Sequence, residues 1–138
     1  MAATAIVYFL FLAAWFGIED ESPALPAAFG AGGAALVVFQ AAERSWSEGP
    51  IQGRSTRWLA RMAGSGLLVG GLAPALAAAL MLVKISLHSH ATPDFTLGEI
   101  LGLLWRTPIW AGAGALAGLG AGFLRSAFRE GPHGTRSE

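Results

Sequence analysis

The chain holds no cysteine, one tyrosine, one lysine and three histidines among 138 residues, and only 13% of it is charged. The missing cysteine rules out a disulfide, a thiolate nucleophile, an iron–sulfur cluster and any zinc site built on sulfur. Soluble domains carry roughly 25% charged residues, so the shortage leaves too little polar surface for a water-facing fold. Formal net charge is zero, which removes the bulk positive field that nucleic-acid binding uses. No nucleic-acid partner is therefore expected.

What the chain has instead is apolar mass. Hydrophobic residues make up 54% and the mean hydropathy is +0.53, which places a chain of this length in the membrane class, as one domain. A transmembrane helix needs about 20 largely apolar residues, and four segments approach that length. Residues 2–18, "AATAIVYFLFLAAWFGI", end at Glu19, Asp20 and Glu21. No Lys or Arg precedes this run and no small-residue cleavage site follows it, so it is expected to be retained as a span. Residues 23–42 open with two prolines, which suit a helix start. Residues 62–87 are uncharged up to Lys84 and contain Pro74, expected to kink the helix without ending it. Residues 97–105, "LGEILGLLW", read as a short interfacial helix that turns at Pro108 into a fourth span over 108–124, with one long kinked helix as the alternative. Residues 125–138 read as a flexible cytoplasmic tail.

The expected fold is therefore all-α: a polytopic membrane protein with a four-transmembrane-helix bundle and an interfacial helix before the last span. Arginines orient it, because cytoplasmic loops collect Lys and Arg. Arg44, Arg54, Arg57 and Arg61 lie between spans two and three, and Arg125, Arg129 and Arg136 follow span four. Both termini are then cytoplasmic in a bacterial-type inner membrane. Trp46 and Trp58 fall at the inner interface, and Trp15, Trp105 and Trp110 at the outer.

Small residues recur at four-residue spacing: Gly66 and Gly70 in span three, Gly114, Gly118 and Gly122 in span four, Ala28 and Gly32 in span two. Such stripes let helix backbones approach where lipid supplies no hydrophobic drive. The runs "GSGLLVG" and "GAGALAG" are not nucleotide loops, since each lies inside an apolar span with no strand before it and no acidic residue placed for a ribose. No nucleotide and no cofactor is expected.

Ionisable groups at membrane depth mark proton relays and ion paths, and the expected interior holds none; Tyr8, Gln40 and Ser65 are its most polar members. The chain is similar in size to small multidrug transporters, but the glutamate that family carries in its first span has no counterpart in residues 2–18. No Ser/His/Asp set, HExxH or paired carboxylates appear within the spans, so no enzyme is expected.

Two polar segments remain. In "RSTRWLARM", Ser55 or Thr56 can cap a helix with Arg54, Arg57 and Arg61 near one face and Trp58 and Leu59 toward the bilayer, suited to lipid or partner contact beside its topological role. In "KISLHSHATPDFTLGE", His88 and His90 point the same way if the loop is extended, and Asp94 can complete a three-ligand metal site. If the helix runs on through His90, the two histidines lie about 200° apart and cannot share an ion. Lys84 and His88 then snorkel outward. Thr96 and Glu99 form a capping box, with Phe95 and Ile100 as its hydrophobic staple. The expected role is a non-catalytic accessory, assembly or scaffold subunit, a homo-oligomer or the companion of a larger membrane protein. A small channel or transporter with an outer site at His88, His90 and Asp94 is the alternative.

Overall fold

The computed structural model describes residues 2–18, 22–46, 56–87 and 94–129. Five helices occupy them: α1 Ala2–Phe16, α2 Ala24–Trp46, α3 Thr56–Leu87, α4 Leu97–Trp105 and α5 Thr107–Arg129. By length and composition three of these can cross a bilayer, over Ala24–Ala42, Thr56–Leu87 and Thr107–Arg125. Large apolar side chains such as Phe9, Phe11, Leu68, Leu82, Leu116 and Phe123 are exposed along them and along α1. A water-soluble monomer rarely shows such continuous apolar surface, so the architecture is that of a helical membrane protein.

The expected first span is shorter than a span should be. α1 has 15 residues, about 22 Å of helix against a hydrocarbon core of about 30 Å. Acidic residues at 19–21 follow it in the sequence, so the apolar run does not extend toward α2.

Helix α3 is the central element, with α2 and α5 packed along it. It runs unbroken through Pro74, which is buried. It also begins at Thr56, so Trp58 and Arg61 belong to the long helix and not to a separate loop helix. Trp58 is buried within the protein, beneath the Arg125 guanidinium at 5.6 Å, where the sequence suggested a bilayer-facing ring.

Backbone contact at glycine joins α3 to α5. A Cβ built on Gly66 would fall on the Gly114 carbonyl, one on Gly70 on the Trp110 carbonyl, and one on Gly118 on the Met62 carbonyl. Residue numbers rise along α3 as they fall along α5, so the pair is antiparallel. Gly122 closes the seam against Leu59 and Met62 side chains. Where a glycine leaves out its Cβ, and at Gly66 and Gly114 both sides do, backbone surfaces touch directly, which is how helices gain contact without a hydrophobic drive.

On α2 the contact falls elsewhere than the sequence suggested. Ala28 is exposed, and Gly32 and Gly33 make room for the ring of Tyr8. The buried line is Pro26, Gly30, Ala34, Val38 and Ala42, with Gly30 set against the backbone of Ala73 and Ala77. Helix α1 lies antiparallel beside α2, held by side chains: Tyr8 donates its hydroxyl to the Phe29 carbonyl at 2.8 Å, and Trp15 meets the Phe29 ring at 5.4 Å.

Between α4 and α5 the chain turns at Arg106. Pro108 has no amide to offer the Leu104 carbonyl four residues back. The Thr107 hydroxyl donates to that carbonyl instead at 2.6 Å, as does the Arg106 amide. The break therefore leaves no unsatisfied group at Leu104.

Candidate functional site: a buried lysine at one end of the bundle

The sequence placed Lys84 in the last turn of a span and let it snorkel into water. The structure buries it completely, and among the described residues it is the one buried charged or polar side chain. Its register shows why. Lys84 follows Ala77 by seven residues and Met81 by three, which puts it on the face that carries both of those buried side chains.

A desolvated ammonium is costly unless its surroundings replace water. The Lys84 Nζ donates to the carbonyl of Ile18 at 2.9 Å. It also sits 4.7 Å from the centre of the Trp15 ring and 5.8 Å from that of Phe95, both fully buried. Ring faces carry negative charge and attract a cation. The carbonyl belongs to a helix end, since Gly17 and Ile18 turn back to Ala14 and Trp15 as α1 closes. A helix C-terminus presents unsatisfied carbonyls and the negative end of its dipole. Lys84 thus caps α1 from 66 residues away.

Apolar packing surrounds this contact. Trp15, Ala78, Met81, Phe95 and Ile100 form a buried cluster, with Leu12, Phe29 and Leu103 against it. Four helices and the turn before α4 meet there. Among the described residues the buried Trp15 indole N–H meets no hydrogen-bond acceptor, so the ring serves through its face.

Phe95 is positioned by the start of α4. Thr96 is its N-cap: the hydroxyl accepts from the Glu99 amide at 3.3 Å, and the Glu99 carboxylate accepts from the Thr96 amide at 2.8 Å and from its hydroxyl at 2.9 Å. Both staple residues, Phe95 and Ile100, enter the cluster. The bond from the Thr96 amide, reinforced by the Thr96 hydroxyl, holds the Glu99 carboxyl below the usual carboxylate range. Because the folded value is depressed, the stabilisation is complete above the unfolded value of about 4.3 and is lost as pH falls through the folded value. Acidification below about pH 4 is therefore expected to loosen the first turn of α4, measured as faster amide exchange at Glu99 and Ile100. Glu99→Gln should remove that pH dependence, and a wild-type profile equally flat between pH 5 and 3 would contradict the cap's role.

Of the other residues singled out in the sequence, Arg57 and Arg61 are exposed near the start of α3. Arg54, His88 and His90 lie outside the described residues. Asp94 is half-buried beside Phe95, and no group of three metal-ligating side chains occurs among the described residues. Gln40 is exposed, and the Ser65 hydroxyl turns back to the Arg61 carbonyl at 2.9 Å.

Lys84, Trp15 and Phe95 were not recognised as a unit from sequence. The readable signal was a lone lysine in register with an apolar stripe. The chain matches no protein-family model, no curated protein and no solved structure.

Proposed function

We propose that the protein is a non-catalytic accessory, assembly or scaffold subunit of a bacterial-type inner membrane. It engages copies of itself or a larger membrane protein. The observation that carries this reading is the character of the interior: glycine and alanine backbone contact through the middle, and one charged side chain, Lys84, already engaged by a carbonyl and two rings. Transport and catalysis both need convergent polar groups around a path or a reacting atom. A close-packed seam supplies rigidity and a fixed shape.

In this reading α1 is a short fourth crossing, accommodated by local thinning of the bilayer. Its antiparallel course beside α2 supports that placement, which puts both termini on the arginine-bearing side. The alternative is a small channel or transporter with an outer site at His88, His90 and Asp94, of which His88 and His90 lie outside the described residues.

The test is reconstitution of the purified protein into liposomes loaded with indicators for protons, potassium and chloride. Ion flux is expected to equal that of empty liposomes, while the detergent-solubilised protein runs as a defined oligomer or with a stoichiometric partner. Flux that depends on the protein would overturn the reading.

A further inference from the structure

We infer that the end of the bundle formed by the start of α3 and the close of α5 is a docking surface for an anionic phospholipid leaflet; this rests on the membrane reading above. The seam sets the level of each arginine. Gly122 packs on Leu59 and Met62, so Arg125, three residues farther along the antiparallel α5, lies level with the first turn of α3, near Arg57. All three side chains are exposed. Among the described residues none of the three guanidinium groups takes part in an ion pair or hydrogen bond, and Arg125 is braced only by the buried Trp58 ring beneath it.

The backbone brings further arginines to the same end. Arg44 lies in the last turn of α2 and Arg129 closes α5, with Glu43 as the acidic residue nearby in the described helices. The opposite end carries an exposed Glu99, a half-buried Asp94 and the buried Lys84. Among the described residues, the end at the start of α3 is therefore the positive one.

The shape of the patch selects the occupant. Arg57 and Arg61 stand one turn apart on the side of α3 turned away from Leu59 and Met62, which face α5. Arg125 stands at the end of the seam, over Trp58 of α3. A pair on the outer face of α3 and a third group at the seam do not close on one phosphate; they meet several headgroups across the interfacial layer. Each guanidinium offers a planar fork of donors matched to phosphate oxygens, and the apolar surfaces of α3 and α5 hold these groups at the lipid boundary.

The test uses nanodiscs of phosphatidylcholine with rising fractions of phosphatidylglycerol, and thermal unfolding as the readout. The wild-type melting temperature is expected to rise by several degrees, in proportion to the phosphatidylglycerol fraction. The rise should shrink as salt increases from about 0.01 to about 1 M, where the screening length falls from roughly 30 to 3 Å. Arg57→Gln, Arg61→Gln and Arg125→Gln together should abolish it.

Equal stability in both lipids, a rise that survives the triple substitution, or one that ignores salt would overturn the inference. So would saturation at one lipid per protein, which would indicate a single-headgroup pocket. Inorganic phosphate giving the same rise would show a free-anion surface, and that too would overturn it. Should the triple variant fail to fold, the salt series on the wild type decides. Alkaline carbonate extraction of vesicles separates the two readings: a protein that washes off fails the membrane reading, whereas one that stays but ignores phosphatidylglycerol fails only this inference.

Discussion

Replacing Gly70 with alanine is expected to cost about 3 kcal/mol, the upper part of the range for overpacking a close contact, while replacing its neighbour Gly71 should cost nothing. The two glycines differ in what a methyl group meets. At Gly70 it would fall on the Trp110 carbonyl and the Ala111 backbone, which cannot swing aside as a side chain can; at Gly71 nothing lies within 4 Å. Alanine at the open position can add up to about 1 kcal/mol through helix propensity. Gly118 and Gly120 form the matching pair on α5, the first against the Met62 carbonyl and the second open. Unfolding by heat in mild detergent reads both pairs. If Gly70→Ala and Gly71→Ala melt together, the α3–α5 seam is not where the helices touch.

Truncation of Lys84 to alanine is expected to destabilise by about 2–5 kcal/mol, the range for removing a long buried side chain. The losses include the packed stem, the donor to the Ile18 carbonyl and the cation over Trp15 and Phe95. Lys84→Met should be milder. Methionine refills most of the volume and removes a desolvated charge, at a cost of about 1–3 kcal/mol for a buried partner left without its donor. Lys84→Glu should be the worst, because a carboxylate would face a carbonyl and two ring faces. The damage should begin at α1, with faster amide exchange near Trp15 before global unfolding. A Lys84→Ala protein as stable as the wild type would show that the lysine cap does not hold α1.

Trp15 follows the same logic. Its N–H makes no hydrogen bond among the described residues, so the ring matters for its area and its negative face. Phenylalanine there keeps a weaker version of both.

Much of this architecture is local in origin and therefore visible in one dimension. A long apolar run must become a helix in lipid, because only internal hydrogen bonding can satisfy its backbone there; α2, α3 and α5 follow. The Thr96 and Glu99 cap needs only three residues of spacing. The four-residue recurrence of glycine along α3 and α5 can likewise be counted in the sequence.

Other features depend on which segments meet. The choice between Gly30 and Gly32 as the α2 contact is a rotation of the helix about its axis, and both positions carry small neighbours at four-residue spacing. Trp58 and Trp15 have the composition of interfacial anchors, yet each is covered by a distant element, Arg125 over one and Lys84 over the other. Lys84 is the sharpest case. A lysine in the last turn of an apolar helix has a flexible stem that reaches water as readily as it reaches inward. Its direction follows from the Ile18 carbonyl, 66 residues earlier, and from Phe95 beyond the helix end. The solvent imposes composition and helix length residue by residue, so those could be read along the chain. The partner of a buried charge exists only once the helices are side by side, because the energy that keeps it there comes from groups that sequence order leaves far apart.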